Sequence, residues 1–455
     1  MLDRHTGTKS SLEKYSLRAV PRYTSYPTAP HFHDGVTART YTHWLSKLDH
    51  NAPVSLYLHL PYCKQACWYC GCNMKLAARY EPIASYAETL RSELRLLARQ
   101  LPGRMKISHL AWGGGTPTAL SPEDLTETMT LVRELFETLP GAELAIESDP
   151  RTLTQDMIET IGALGFTRAS FGIQEFDPRV QAAINRVQPP DMVASAVQAL
   201  REVGVSAVNF DLIYGLPHQT VETLVSTVET CADLAPDRFA LFGYAHVPWV
   251  AKRQRMIPEE ALPGLHARMA QAEAAAEALK AAGYVRIGMD HFARPEDELA
   301  KADRAGTLRR NFQGYTTDTA ETLLGVGASS IGRTPSGYVQ NITETGAWAR
   351  AVEAGTLPVA RGVALGREDL IRGQVIEELM CRGTVDLDMV AKAHAAPGWY
   401  SGDLPTLAPL IQDGIVVLEG TRLTLTEDGA PLVRVVAAVF DTHLEGGRAR
   451  HSVAV

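Results

Sequence analysis

The sequence has few cysteines, no long apolar run and no excess of basic charge, and each lack excludes a class of protein. It contains no run of about 18 apolar residues that could cross a membrane. Its N-terminal stretch, MLDRHTGTKSSLEKYSL, lacks the apolar core of a signal peptide. The formal net charge of −8 provides no basic field for nucleic acid. We therefore expect a cytoplasmic protein with no membrane span and no nucleic-acid partner.

The few cysteines are concentrated in one stretch. Four of the six, Cys63, Cys67, Cys70 and Cys72, lie in the string YLHLPYCKQACWYCGCNMK. Clustered thiols in a long cytosolic chain are more often metal-binding or catalytic than disulfide-bonded. The spacing C-x3-C-x2-C lets one loop bring three sulfurs around an inorganic centre. On these residues alone, both an iron-sulfur cluster and a zinc site with Cys72 or His59 as fourth ligand remain open.

The chain is long enough for two or more domains. Its 455 residues, 45% of them hydrophobic, can bury a large core. From Val54 onward, short apolar runs alternate with longer amphipathic ones, which predicts repeated βα units and a parallel sheet. We predict strands at VSLYLHL, KISHLAW, ELAIES, RASFGI, VNFDLIY, RFALFGY and YVRIGMD. So many units imply a partial or full barrel with its chemistry at the C-terminal ends of the strands.

The sequence changes character at both ends of this region. Residues 1–50 are polar, and their segment PRYTSYPTAPHF is rich in proline, which favours an extended arm. Residues 359–455 indicate helices, then two short strands joined through Glu-Gly-Thr, then a helix. We therefore predict an arm at 1–50, a barrel domain at 51–358 and a small, mainly helical, winged-helix-like domain at 359–455.

Residues at the predicted strand ends are candidates for a site. The glycines of GGGTP, Gly113 to Pro117, would let a backbone approach a ligand closely, although a tight turn explains them as well. Glu147 can present a carboxylate into a barrel, whereas Asp149 is the better candidate to cap the next helix. Asp211 interrupts an apolar strand, so it is either paired structurally or binds a ligand.

The string CxxxCWYCGCN at the end of a hydrophobic strand resembles the signature of the radical S-adenosylmethionine (SAM) enzymes. It is most similar to one branch of them, the oxygen-independent coproporphyrinogen III oxidases. The strings PRYTSYPT, GGGTP and VNFDLIYGLP resemble the same branch, and the likeness runs from about Pro21 to Asp441. It implies an α/β protein with a partial (β/α) radical SAM barrel, an N-terminal arm over the active site and the small C-terminal domain.

The resemblance also implies a set of cofactor contacts. Cys63, Cys67 and Cys70 would bind a [4Fe-4S] cluster whose open iron is chelated by SAM, and Cys72 would be a nearby non-ligand. Two SAM molecules would share one cavity. The positions matching contacts to the chelating SAM are Tyr57, Gly114 and Glu147. The positions matching contacts to the second SAM are Tyr69, Gly115, Thr116, Gln174, Arg186, Asp211, Ala245 and Ile331. No acid-base catalytic residue is assigned.

The activity that the resemblance implies is that of an oxidoreductase of porphyrin and haem biosynthesis, a coproporphyrinogen dehydrogenase. Two propionate side chains of coproporphyrinogen III would be decarboxylated oxidatively to vinyl groups, giving protoporphyrinogen IX, with methionine, 5'-deoxyadenosine and CO2 as further products. We expect a monomer served by an electron donor such as flavodoxin or ferredoxin. A haem chaperone and a radical SAM methyltransferase are the alternatives. The chaperone is disfavoured because it lacks the PRYTSYP arm and the Cys-Gly-Cys-Asn continuation, both present here.

Overall fold

A computed structural model describes residues 14–444 of the chain. The chain divides into two compact units. The sheet unit comprises His33–Tyr284 and Asp318–Ala364. The terminal unit comprises Met1–Phe32, Val285–Thr317 and Leu365–Val455, so it joins the two ends of the sequence.

The strands are numbered along the chain. They are β1 (Pro53–Leu60), β2 (Tyr62–Cys63), β3 (Lys75–Leu76), β4 (Lys106–Gly114), β5 (Glu137–Ser148), β6 (Arg168–Gln174), β7 (Ala207–Tyr214), β8 (Arg238–Gly243), β9 (Val285–Ile287), β10 (His291–Ala293), β11 (Arg309–Asn311), β12 (Gly314–Thr316), β13 (Thr322–Val326), β14 (Ile331–Thr334), β15 (Gly337–Asn341), β16 (Val359–Ala364), β17 (Thr384–Asp386), β18 (Val416–Glu419) and β19 (Arg422–Leu425).

The α-helices are numbered in the same way. They are α1 (Ala38–Leu45), α2 (Glu81–Ala98), α3 (Pro122–Leu135), α4 (Gln155–Ala163), α5 (Pro178–Ala183), α6 (Pro190–Glu202), α7 (Val221–Asp233), α8 (Leu265–Ala281), α9 (Glu298–Arg304), α10 (Thr345–Glu353), α11 (Arg367–Arg382), α12 (Leu387–Ala393), α13 (Leu404–Gln412) and α14 (Val433–Ala437). No helix of residues 14–444 is both long and apolar enough to span a bilayer.

The sheet unit is built on a sheet whose strands follow the order β16-β15-β14-β13-β1-β4-β5-β6-β7-β8. The pairs from β13 through β8 are parallel, whereas β14, β15 and β16 add on in antiparallel fashion. Strand β1 and each of β4 to β8 is followed by at least one helix. The predicted α/β class and repeated βα units are therefore confirmed.

Local signals in the sequence set the helix boundaries. The Ser121 side chain accepts a hydrogen bond from Asp124 N at the start of α3, and Thr220 caps α7 through Thr223. Gly204 and Gly283 follow the ends of α6 and α8 with φ values of 98° and 90°. Left-handed backbone at this place favours glycine, so these two residues end their helices.

One predicted strand is present but does not extend the run of parallel pairs. The stretch YVRIGMD contains only the short β9, which pairs antiparallel with β10 in the terminal unit. The parallel neighbour of β1 on its other side is β13, from the sequence TLLGV. Every residue of β13 is buried, which suits a parallel strand covered on both faces, whereas Val285 and Arg286 of β9 are exposed.

The terminal unit contains the expected pair of short strands near the C-terminus. Strands β18 and β19 pair antiparallel on either side of Gly420, and β17 adds a third strand in the order β17-β19-β18. Helices α11 to α14 surround a core that includes Val375, Leu379 and Phe440. The winged-helix-like arrangement of helices and a small sheet is confirmed.

The first described residues pack into the same terminal core. Tyr15, Val20, Tyr23 and Tyr26 all belong to it and are at most 6% exposed. The Tyr23 hydroxyl donates to Asp441 at 3.0 Å. Residues 33–50 belong to the sheet unit instead and include helix α1, which begins at a capping box on Thr37. The role of the arm as a cover for an active site stays a prediction.

Candidate functional site

The cysteine loop, residues 63–72, follows β1 and is closed at its base by a short two-stranded sheet. Strands β2 and β3 pair in parallel, with Cys63 opposite Leu76, and close the loop at its base. Two bonds from the segment after α5 hold its middle. The Trp68 N–H donates to Ile184 O at 2.9 Å, and Asn185 Nδ2 donates to Ala66 O at 2.7 Å. The loop therefore has a fixed backbone path.

Each of the three candidate ligand sulfurs accepts a hydrogen bond from a different part of the site. Thr116 Oγ1 lies 3.4 Å from Cys63 Sγ, and the Cys72 backbone N–H lies 3.4 Å from Cys70 Sγ. Cys67 Sγ, which is buried, accepts from Arg151 and Arg186, both at 3.3 Å. Sulfurs approached by donors in this way are suited to binding as thiolates.

The environment shifts the thiols in opposite directions. Burial raises the pKa of Cys63 to about 11, although the hydrogen bond from Thr116 opposes it. The hydrogen bond from the Cys72 thiol lowers the pKa of Cys70 to about 6. Cys72 is the donor in that pair, and its own pKa is raised for the same reason. Cys72 is thus distinguished from the other three as an exposed donor.

The loop does not gather ligands around one ion. Among residues 14–444, no three His, Cys, Asp or Glu side chains are placed to hold a single metal ion. His59, considered above as a zinc ligand, has its Nδ1 at 2.9 Å from the Tyr57 hydroxyl and its Nε2 at 3.2 Å from the Ser329 hydroxyl. Both ring nitrogens are therefore engaged elsewhere. Several metal atoms joined in one cluster, by contrast, need ligand sulfurs at separate corners.

The glycines of GGGTP pack directly against the cysteine loop. The Gly115 N–H donates to Leu60 O at 2.7 Å, and the Thr116 N–H donates to Tyr62 O at 2.8 Å. A Cβ on Gly115 would lie 2.6 Å from Tyr62 O, so only glycine fits. Gly114 has φ 117°, and a Cβ there would meet the His59 ring. These close contacts, more than turn geometry, explain the glycines.

Three polar side chains of the parallel strands face one another. Glu147 accepts a hydrogen bond from Gly114 N at 3.2 Å, and its charge contributes to raising the pKa values of Tyr57 and Asp211. Burial raises the pKa of Glu147 to about 7 and that of Asp211 to about 7. Their side chains are nonetheless reachable by solvent. Both carboxylates therefore combine a protein environment that raises their pKa values with access for a ligand from solvent.

The contacts of Asp211 distinguish between structural pairing and ligand binding. Among residues 14–444, no hydrogen bond or ion pair involves its carboxylate, and Arg186 reaches it only as a nearby positive charge. Of the two readings that its sequence context left open, structural pairing is therefore disfavoured. A half-buried carboxylate without a donor is suited to accept one from a ligand.

Arg186 and Gln174 lie side by side at the C-terminal end of β6. Arg186 Nε donates to Gly172 O at 2.8 Å, and a Cβ on Gly172 would lie 2.5 Å from the Gln174 amide nitrogen. Gln174 has φ 67°, unusual for a residue with a side chain, and its buried Oε1 has no hydrogen-bond partner among the described residues. A buried acceptor in strained backbone indicates a ligand-binding position.

Tyr69 and Ala245 are joined through Gln254. The Gln254 amide donates to Tyr69 O at 2.7 Å and to Ala245 O at 3.1 Å, which ties the cysteine loop to the end of β8. Ile331 lies in β14, and its carbonyl packs on Gly325, the register partner of Tyr57.

Two residues of the site escaped the sequence analysis, and one was given the wrong task. Asp149 does not cap α4, because the cap is Thr154, which accepts from Met157 N. Asp149 is instead buried between Arg151 and Arg186, at 2.6 and 3.4 Å. Arg151 and Gln254 were missed. An isolated arginine or glutamine in a loop carries no spacing signal, and only the folded contacts reveal it.

The donor set fits the cofactors that the resemblance implies. Three thiols stand on one loop with donors at each sulfur, and the neighbouring glycines leave no room for a side chain. The unpartnered Gln174 Oε1 and Asp211 carboxylate supply acceptors for hydroxyl and amine groups. These residues are suited to a cluster with an adjacent polar ligand.

Comparisons with known proteins agree with this geometry. Residues 57–231 match the model of the Radical SAM superfamily. The chain is 52% identical over 442 residues to the oxygen-independent coproporphyrinogen III oxidase of Bradyrhizobium diazoefficiens, covering 97% of this chain and 98% of that one. It is 38% identical over 436 residues to the enzyme of the same name from Escherichia coli, covering 95% and 94%.

A solved structure is similar over nearly the whole chain. It is the coproporphyrinogen III oxidase of Escherichia coli, described as a radical SAM enzyme. It matches with a TM-score of 0.89 at 36% identity and covers 94% of this chain and 100% of its own. The similarity therefore includes both compact units.

Proposed function

The chain belongs to the oxygen-independent coproporphyrinogen III oxidase family of the radical SAM superfamily, and from this premise we propose how its residues carry out the reaction. The protein is an oxidoreductase that decarboxylates two propionate side chains of coproporphyrinogen III to vinyl groups, yielding protoporphyrinogen IX for haem biosynthesis. The full-length relationship at 52% identity carries this conclusion.

Members of this superfamily use a [4Fe-4S] cluster and SAM. We propose that Cys63, Cys67 and Cys70 are the cluster ligands and that Cys72 is not. The support is that these three sulfurs accept hydrogen bonds from Thr116, Arg186 and the Cys72 backbone, respectively. When bound, the cluster and SAM supply the one-electron chemistry that removes hydrogen from the propionate side chain.

Two SAM molecules in one cavity remain a proposal. Around the first we place Tyr57, Gly114 and Glu147, which already interact through the Gly114 N–H and the Glu147 charge. Around the second we place the remaining candidates, which are Tyr69, Gly115, Thr116, Gln174, Arg186, Asp211, Ala245 and Ile331. The support is the unpartnered oxygens of Gln174 and Asp211 and the buried charge of Arg186.

The chain's own residues bind and orient rather than exchange protons with the substrate. Asp211 and Glu147, with pKa values near 7, can accept hydrogen bonds from hydroxyl and ammonium groups of a ligand. Arg186 provides a fixed positive charge held by Gly172 O and Asp149. The glycines let the backbone after β4 pack against the cysteine loop, where a side chain would not fit.

Three further expectations stay proposals. An external one-electron donor such as flavodoxin or ferredoxin reduces the cluster. The protein acts as a monomer. It works in the cytoplasm, where clustered thiols stay reduced and free to bind metal.

An anaerobic assay tests the proposed function. The reconstituted protein is supplied with SAM, a reductant and coproporphyrinogen III, and the porphyrins are separated after oxidation. We expect a two-vinyl product and two 5'-deoxyadenosines for each substrate converted. Cys67→Ser serves as the inactive control.

Two other results would contradict parts of the proposal. If SAM were cleaved while coproporphyrinogen III stayed unchanged, the substrate assignment would be wrong. A ratio of one 5'-deoxyadenosine per two-vinyl product would contradict the consumption of two SAM molecules.

A further inference from the structure

A buried group of four side chains lies on one side of the cysteine loop. Arg151 and Arg186 flank Asp149, and both guanidinium groups also donate to Cys67 Sγ. Side-chain exposure is 5% for Arg151, 7% for Arg186 and 10% for Asp149. Arg186 is one of the expected SAM contacts, but nothing in the sequence or in the resemblance assigned a task to Arg151.

The guanidinium groups of this buried group converge on one sulfur. Arg151 and Arg186 share a single carboxylate, Asp149, which lies between them. Each also directs an N–H at Cys67 Sγ at 3.3 Å. Two positively charged donors on one sulfur are suited to a cluster-ligand sulfur, which carries negative charge.

Several hydrogen bonds fix the Arg151 guanidinium group in the position from which it contacts Cys67. Its Nε donates to Asp149 Oδ1 at 2.9 Å, and its Nη2 donates to Asp149 Oδ2 at 2.6 Å. The same Nη2 reaches Cys67 Sγ at 3.3 Å. Its Nη1 is 3.5 Å from the carbonyl of Asn185, whose amide holds the loop at Ala66. The planar fork of arginine is required, because lysine cannot donate in three directions from one plane.

We propose that Arg151 is a positioning residue of the cluster site and that it raises the reduction potential of the cluster. It holds Cys67 directly, and it holds Arg186 through Asp149, which both arginines contact. This inference depends on the proposed assignment of Cys67 as a ligand. An N–H···S bond and a nearby positive charge stabilise the more negative, reduced cluster. Arg151 is not one of the expected SAM contacts, and its own contact with the ligand set is to Cys67, so its effect passes through that sulfur.

The test is a redox titration of the reconstituted protein with mediators, followed by the electron paramagnetic resonance signal of the reduced cluster. In Arg151→Gln we expect full cluster content, a midpoint potential shifted to a more negative value and an altered signal. Arg151→Lys keeps the charge but not the fork, so its shift is smaller and has the same sign. Arg91→Gln is the matched control, because it also removes a largely buried guanidinium paired with a carboxylate, Asp124 at 2.9 Å. Its potential stays at the wild-type value.

The outcomes separate this inference from the proposed function. A wild-type potential in Arg151→Gln with the cluster present would overturn the role of Arg151 and leave the function intact. If Arg151→Gln cannot be loaded with a cluster, a wild-type potential in Arg151→Lys has the same meaning. Retention of the cluster in Cys67→Ser would instead overturn the ligand assignment on which the inference rests.

Discussion

At the scale of single residues, the cysteine loop distinguishes its four thiols by the direction of their hydrogen bonds. Cys63, Cys67 and Cys70 accept from neighbouring groups, whereas Cys72 donates to Cys70 through its backbone and its thiol. An acceptor sulfur is stabilised as a thiolate, and only the thiolate binds metal. In the sequence the four cysteines look equivalent. Their hydrogen bonds distinguish Cys72, a donor, from the other three, which are acceptors.

Serine substitutions test this distinction. Cys63→Ser, Cys67→Ser and Cys70→Ser each remove a metal-binding thiolate, so we expect loss of the cluster and of activity. Cys72→Ser keeps the backbone N–H that donates to Cys70, so it retains the cluster. Iron content and the visible absorption of anaerobically reconstituted protein measure both. A cluster in Cys70→Ser together with its loss in Cys72→Ser would reverse the assignment.

Glu93 is a buried residue whose role is structural. Its carboxylate accepts from Gly327 N, from Trp348 Nε1 and from Asn341 Nδ2, at 2.8, 2.8 and 2.6 Å. Burial raises the pKa of Glu93 to about 7, although these donors oppose the shift. The network ties α2 to the turn after β13 and to α10.

The raised pKa predicts a pH-dependent contribution to stability. Between the unfolded value of about 4.3 and the folded value, the native chain binds a proton that the unfolded chain has lost. Relative to Glu93→Gln, the wild-type free energy of unfolding should therefore fall by up to about 4 kcal/mol as pH rises from about 4 to about 8 and level off above that. Urea denaturation of the cluster-free protein at several pH values measures this difference.

The neighbouring Glu88, exposed on the same helix, provides the control for Glu93. Glu88→Gln removes one carboxylate from the surface of the helix, so it measures what the loss of a surface charge alone does to the stability. A difference between wild type and Glu93→Gln that does not vary with pH would mean that folding leaves the pKa of Glu93 unchanged.

At the scale of elements, the βα units were predictable because apolar strands and amphipathic helices alternate strongly from Val54 to Gly283. The pairing of β1 with β13 could not be predicted in this way. TLLGV is a short apolar run. Its pairing with β1 joins segments more than 250 residues apart, and a local sequence pattern cannot reveal such a pairing. Conversely, YVRIGMD does form a strand, but β9 is short, partly exposed and antiparallel to its neighbour β10.

The contact between the end of β4 and the cysteine loop gives a prediction for Gly115. A methyl group there would lie 2.6 Å from Tyr62 O, a backbone atom that cannot rotate away. Gly115→Ala should push β4 from the loop, destabilise the sheet unit by about 1–3 kcal/mol and lower cluster occupancy. Iron content after reconstitution and the denaturation midpoint measure the two effects.

Gly71→Ala is the matched control for Gly115, because Gly71 lies in the same loop with nothing within 4 Å of an added Cβ. It should keep wild-type cluster content. Equal loss of iron in both variants would show that the loop, and not the approach of β4, is sensitive to substitution.

At the scale of the whole molecule, the sequence located the segments but not their grouping. The terminal unit brings together residues from the start, a middle portion and the end of the chain. Residues 1–50 are polar on average, so their composition does not indicate that a few aromatic side chains, such as Tyr15 and Tyr23, lie in the core of the terminal unit. Which core receives a lone buried tyrosine depends on long-range packing, so linear composition could not assign it.

Tyr23 tests whether the start of the chain stabilises its end. Tyr23 is 4% exposed within the core of the terminal unit, and its hydroxyl donates to Asp441 Oδ2 at 3.0 Å. Tyr23→Ala should destabilise the terminal unit by about 3–5 kcal/mol, through lost burial and a cavity. Tyr23→Phe keeps the ring and leaves Asp441 without that donor, so its cost is smaller, about 1–3 kcal/mol.

Hydrogen exchange locates the effect of Tyr23. Amides of α11 and α14, which line the same core, should exchange faster in Tyr23→Ala because local opening there becomes less costly. Tyr23→Phe should give the same pattern with smaller increases. Unchanged protection of both helices in Tyr23→Ala would mean that the arm adds nothing to the core it fills. A gradient from Phe to Ala would establish that the N-terminal segment is an integral part of the C-terminal core.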